Sequence, residues 1–271
     1  MTPTEIDELF AATLSGDYDD DQPWDAVKRL RINGDHYIFE KAAGWCQSEK
    51  PLMRARGADI LCQLRTSKTP EQEQTKALAE PIFADESARI LSGMIKGETH
   101  VQALSSELHG LGHLGQAQVV SSLVPFANHP SSEVRFAVAC ALGSFSHDTT
   151  AVETLMRLAD DPDDDIRDWT IFALGTQSDE DSPALREIFV RHLDDPHPAT
   201  REEAIAGLAK RKDTRAARPL LRLMESGSYY SHHAFDFEAL IDSEHVDGGF
   251  EPEDFIDALY DRFPDILPER K

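Results

Sequence analysis

Three times between Ala127 and Gly207, a leucine-rich stretch ends, a proline turn follows, and a new apolar stretch opens with an arginine. The turns read ANHPSSEVR, ADDPDDDIR and LDDPHPATR. The arginine lies five residues after the proline each time: Pro130 to Arg135, Pro162 to Arg167, Pro196 to Arg201. The prolines are 32 and then 34 residues apart. Ala141-Leu142-Gly143 and Ala173-Leu174-Gly175 close the first two units, and Gly207-Leu208-Ala209 closes the third. A period of this length is the signature of a helical solenoid, because such a unit buries its apolar face only against its neighbours.

The pattern has a physical reading. Proline stops the outgoing helix, and acidic residues favour the partial positive charge at the start of the incoming one. Val134/Ile166, Ala139/Ile171/Ile205 and Leu142/Leu174/Leu208 fall on one helical face. Small residues at Ala141, Ala173 and Gly207 let backbones approach, and Gly143 and Gly175 are expected to end their helices in the left-handed conformation. The regular helices are expected at about 116–128, 132–144, 150–160, 164–176, 182–194, 198–210 and 214–225. Weaker copies precede them. Pro51 opens one, with Arg54 at the arginine position and Leu61 at that of Leu142. Another ends in Gly110-Leu111-Gly112, but holds Leu104 where the arginine would be. Helices are also expected over 3–15, over 24–31, after Asp35, from Thr69-Pro70 to about Phe83, over 86–95 and over 252–263. SGSYYSHHAFDF and SEHVDGGFEPED read as loops. No stretch alternates with period two long enough for a strand. The expected architecture is one all-α solenoid of about six helix pairs over 1–271. It has an N-terminal cap (1–34), degenerate repeats (35–112), regular repeats (113–226) and a C-terminal cap (227–271).

The Pro-x-x-x-x-Arg turns and Ala-Leu-Gly endings resemble the HEAT-repeat family, specifically the short HEAT-like repeats first named after phycobilisome lyases. The resemblance is firm from about Leu114 to Met224 and weaker from Tyr37 to Gly112. It implies a right-handed superhelix of antiparallel helix pairs, Arg-starting helices along the concave side, and use as a protein-binding scaffold. Fold does not fix function.

Composition narrows the partners. Fifty acidic side chains against 27 basic ones leave a net charge of -23. A polyanionic duplex is then an unfavourable partner, and so is an anionic membrane surface. A basic or mixed-charge protein or peptide is the expected one. The acidic and amphipathic start MTPTEIDELF has no leader pattern. Cys46, Cys62 and Cys140 form no CxxC pair and are expected as free thiols in a reducing, cytoplasmic setting.

Few residues suggest chemistry. The turn Asp160 to Asp165 could chelate calcium, but it lacks the glycine and closing glutamate of an EF-hand, and helix capping explains its acids. His109 and His113 stand four apart, yet a metal site needs further ligands. His232-His233 reads as an exposed pair. Deoxyhypusine hydroxylases, which are HEAT-like enzymes, hold iron with His-Glu dyads, and no His-Glu dipeptide occurs here. No phosphate loop, nucleophile elbow or His-Glu-x-x-His is present. No catalytic residue, metal or cofactor is assigned. The charge opposes HEAT-like DNA glycosylases. Two alternatives to a plain scaffold stay open: a tetrapyrrole-handling protein of the bilin-lyase type, and an acidic inhibitor or immunity protein for a basic toxin.

Arg54, Arg135, Arg167 and Arg201 read as a structural ladder, each held by a neighbouring aspartate. The first, second and fifth residues after each arginine should point away from the packing face. These are Phe136, Ala137 and Cys140, then Asp168, Trp169 and Phe172, then Glu202, Glu203 and Ala206. The degenerate units align Ser105, Ser106 and His109 there, and Ala55, Arg56 and Asp59. The candidate binding face is therefore Phe136, Cys140, Asp168, Trp169, Phe172, Glu202, Glu203 and His109. In the other helical phase these rings are core instead.

Overall fold

The same turn is built four times. The residue before or near the proline (Ser48, His129, Asp161 or Asp195) accepts the backbone N–H two positions on. The acceptor atoms are Ser48 Oγ at 3.2 Å, His129 Nδ1 at 3.1 Å, Asp161 Oδ1 at 3.0 Å and Asp195 Oδ1 at 2.9 Å. Six positions on, an arginine Nη1 donates back to that residue's carbonyl: Arg54 to Ser48 at 2.8 Å, Arg135 to His129 at 2.9 Å, Arg167 to Asp161 at 3.0 Å, Arg201 to Asp195 at 2.7 Å. The last three also reach the proline carbonyl. The orphan groups of one helix end and the next helix start are thus satisfied together.

In this computed structural model, residues 1–66, 79–227, 234–241 and 252–269 are described. The expected helix from Thr69 therefore falls mostly outside them, as do His232-His233 and most of the SEHVDGGFEPED segment. The chain divides into two compact units, Met1–Phe145 and Ser146–Lys271. Both are all-helical among the described residues, apart from an isolated bridge between Arg65 and Pro81.

The first unit holds α1 (Pro3–Ala12), α2 (Asp21–Ile32), α3 (His36–Trp45), α4 (Pro51–Leu61), α5 (Ala84–Met94), α6 (Val101–Leu114), α7 (Val120–Leu123, between 3-10 turns Ala117–Val119 and Val124–Asn128) and α8 (Ser132–Gly143). Its spine is α4 on α6 on α8. A Cβ at Gly112 would lie 2.5 Å from Ala141 Cα, so the small residues are where α6 and α8 touch. Arg54 clasps Glu98 through Nε at 2.5 Å and Nη2 at 2.9 Å. Glu98 in turn accepts the backbone N–H groups of Thr99 and His100. The degenerate unit has thus lost its arginine at Leu104 but kept the acid.

The second unit holds α9 (Thr149–Leu158), α10 (Asp164–Phe172), a π-helical turn Ala173–Gln177, α11 (Pro183–His192), α12 (Pro198–Lys210), α13 (Ala217–Ser226, after the 3-10 turn Thr214–Ala216), α14 (Ala234–Ile241) and α15 (Pro252–Arg262). Here α10, α12 and α14 pack in series. Arg167 binds both Asp195 oxygens, at 2.9 and 3.0 Å. Burial opposes the Asp195 charge, but Arg167, the His197 N–H and His192 together hold its carboxyl well below the usual range. Arg211 gathers the loop after the π-turn, donating to the carbonyls of Leu174, Gly175, Ser178, Glu180 and Gly207.

Several expectations change. Gly143 and Gly175 are not left-handed; among the described glycines only Gly16, Gly115 and Gly227 take positive φ. Gly143 stays helical, and Gly175 sits in the π-turn close to Gly207. Gly110-Leu111-Gly112 does not end α6, which runs to Leu114 and stops at left-handed Gly115. No helix reaches Phe83, which is itself left-handed before α5, and Pro81 pairs with Arg65. The segment read as a loop through Phe237 contains the start of α14.

Two consequences are measurable. Arg167 uses all three of its nitrogens on a carboxylate and two carbonyls, a fork that lysine lacks. Arg167→Lys is expected to lower stability by about 2–4 kcal/mol in urea unfolding, since a nearly buried carboxylate loses its partner. Glu107 on α6 is fully buried, with no hydrogen-bond partner to either oxygen. Burial first, and the Glu98 charge second, push its carboxyl up from 4.5 to about 8. The folded state therefore binds this proton more tightly than the unfolded chain. The contribution is full below the ordinary carboxylate range and is lost as pH rises through about 8. Glu107→Gln should remove that slope, so the variant gains about 2–4 kcal/mol on the parent between pH 5 and 9.

Candidate functional site

In the first unit, α6 turns Ser105, Ser106, His109 and His113 toward a cavity of about 450 Å³. The helical spacing explains it: these residues lie at three- and four-residue steps, on the face opposite Leu104, Leu108 and Leu111. The far wall comes from the N-terminal cap, through Tyr18, Trp24 and Arg31. Tyr18 Oη lies 2.7 Å from both Asp59 Oδ2 and Ser106 Oγ. Arg56 is completely buried behind it; it donates to Thr13, Tyr18 and Asp59 and stacks on the Tyr18 ring at 4.0 Å. Arg56 and Asp59 had been placed at outward positions. They are buried because the cap folds over them.

His109 faces this cavity, and its ring lies edge-on to Phe136, 6.2 Å between centroids. Burial, helped by His113, holds the His109 imidazole down at about 4, so it is neutral at pH 7. Burial and the Arg31 charge push His113 the same way. Cys140 is half-buried on α8, and burial lifts its thiol to about 12. It is an inert side chain rather than a nucleophile.

In the second unit, Trp169 is 37% exposed, and its ring meets Phe172 at 5.6 Å, tilted by 55°. Asp168 stands beside them, half-buried, with an oxygen 3.9 Å from His197 Nδ1. Burial, then the neighbouring Glu203 charge, raises the Asp168 carboxyl above its ordinary value. Glu202 and Glu203 were expected as exposed acids. They are 4% and 7% exposed, so that expectation is corrected. Their helix is flanked by α10 on one side and α14 on the other, which takes the solvent from its edges. Asp163, Asp164 and Asp165 bring carboxylate oxygens within 4.8 Å of one another. Asp163 also caps α10 by accepting from the Ile166 N–H.

Tyr18, Trp24, Arg31 and His197 carried no sequence signal. The first three lie in a non-repeating cap, and His197 reaches the site only because α10 and α12 are neighbours. Phe136→Ala should uncover His109. In an NMR titration the native His109 is expected to stay neutral down to about pH 5, and the variant to titrate closer to the ordinary 6.5.

Residues 105–175 and 157–232 match the family model for HEAT repeats. Protein YibA of Escherichia coli strain K12 is 28% identical over 224 residues, covering 83% of this chain and 76% of that protein. An X-ray structure of YibA superposes with a TM-score of 0.70 at 22% identity, over 96% of this chain and 92% of that one. The complex of CpcE and CpcF of the phycocyanin lyase from Nostoc sp. PCC7120 is more distant. It matches with a TM-score of 0.49 at 15% identity, covering 94% of each chain. No described helix is long and apolar enough to cross a membrane.

Proposed function

We propose that this protein, whose residues 105–175 and 157–232 are HEAT repeats, is a binding scaffold for a basic or mixed-charge peptide segment of another protein. The peptide lies along the α10 and α12 helices of the second unit, on the kind of face such repeats use for extended partners. The observation that carries this reading is Trp169: a large ring, exposed and set against Phe172, with an acid at its side. Aromatic anchors of this kind dominate interface energies. The net charge of -23 selects the sign of the partner and speeds its approach. Asp168 and the acids that start α10 supply the local charge; Glu202 and Glu203 contribute as buried neighbours and make no direct contact. Arg167 and Arg201 are the frame that holds this face in the second unit.

The test is a peptide array of arginine- and lysine-containing 15-residue peptides probed with the full chain, followed by calorimetry on the best binders. Trp169→Ala is expected to weaken binding by about 30-fold, with an unchanged circular dichroism spectrum. Charge-reversed acidic versions of the same peptides should fail to bind. Equal binding of basic and acidic sequences, or full affinity in the Trp169→Ala chain, would overturn the reading.

A further inference from the structure

We propose that the cavity of the first unit is a binding site for a singly charged carboxylate on a flat ring, gripped by Arg31. The reading goes beyond the peptide face around Trp169 and does not depend on it.

Among the described residues, Arg31 is the only Lys or Arg side chain lining the cavity. Its bonds run to neutral groups alone: Nε to the Asp59 carbonyl at 2.7 Å, Nη1 to Gln63 Oε1 at 3.1 Å, Nη2 to Cys62 Sγ at 3.5 Å. Among the described residues it makes no ion pair. The neighbouring Arg56 differs, since Asp59 accepts from it at 3.3 Å. The Arg31 charge still reaches the buried Asp59 carboxylate behind it, whose proton affinity it lowers. Each Arg31 Nη makes one of those bonds and carries two N–H groups, so each keeps one donor for a ligand carboxylate.

The remaining groups fit the rest of such a molecule. Trp24 underlies the guanidinium at 5.6 Å and holds its plane. Tyr18, Trp24 and His109 put rings in the cavity wall, with Phe136 beside His109 and Arg56 over one face of Tyr18. The neutral His109 ring has one donor and one acceptor, and the Ser105 hydroxyl adds another pair. The depressed His113 imidazole feels the Arg31 charge directly, so that field reaches the cavity. The volume, about 450 Å³, lies in the range of small-molecule sites.

The rim decides the ligand's charge. Asp19 and Glu133 are exposed at the mouth and repel a dianion more than a monoanion. An organic carboxylate is therefore favoured over phosphate. The shared chemistry has two sources: a free aromatic acid, or the C-terminal residue of a peptide ending in an aromatic side chain.

Calorimetry on the full chain separates these at low salt. The probes are 4-hydroxyphenylacetate, its amide, acetyl-Gly-Phe as free acid and as amide, and inorganic phosphate. At least one carboxylate is expected to bind ten-fold or more tightly than its own amide and than phosphate. Preference for 4-hydroxyphenylacetate assigns a free acid, and preference for acetyl-Gly-Phe assigns a chain end. Arg31→Met should weaken binding at least ten-fold. Because Arg31 also braces the cap, Ser105→Leu serves as the second variant: it fills the cavity while leaving Arg31 itself in place and should abolish binding. The proposal fails if neither acid outbinds its amide, if phosphate binds as well, or if Ser105→Leu binds like the parent.

Discussion

Everything in this molecule depends on one clasp. An arginine at the start of a helix closes its own turn through the carbonyl six residues back and reaches forward to an acid in the next turn. That acid then caps the next helix. Arg167, Asp195 and Arg201 show the full chain of bonds in the second unit, and Arg54 with Glu98 shows it in the first. A guanidinium does this because its donors are planar, fixed in direction and always charged. The clasp also explains the five-residue spacing from proline to arginine: the proline only bends the chain, while the bonds require the arginine one helical turn inside the new helix.

A frame tied in this way leaves the variable positions between the arginine and the small-residue ending free to differ. In α6 they are hydroxyls and a histidine, in α8 a phenylalanine and a thiol, in α10 an acid and two rings. The two units use this freedom differently. The first combines it with the cap to make an enclosed cavity whose imidazole is kept neutral. The second leaves a tryptophan at the surface beside a carboxylate whose proton affinity is raised.

Much of this was legible in the residue order. Helix positions in the regular repeats and the buried leucine and isoleucine faces follow from periodicity of 3.6 residues, whereas Ser105 and Ser106, read as outward, are buried. The helix ends were less legible. Gly143 and Gly175 look like terminators, but Gly143 is still helical and Gly175 is wound into a π-turn, and the true stop of α6 is Gly115. The fate of Glu202 and Glu203 could not be read at all, because two carboxylates on a helix edge look exposed until α14 is known to lie alongside.

The division follows from the range of the forces involved. Periodic burial and the turn bonds act over a few tens of residues and repeat, so the order of residues alone specifies an all-α stack and its arginine frame. Which polar groups lose water, and with which partners, depends on contacts between segments far apart in sequence. Tyr18 meets Ser106 across 88 positions, and Arg31 faces His113 only after the cap has folded onto the repeats. Single, non-repeating contacts of this kind leave no period to detect. They set the neutral histidine, the arginine at the cavity wall and the exposed tryptophan, and so they are what distinguishes this solenoid from another built on the same frame.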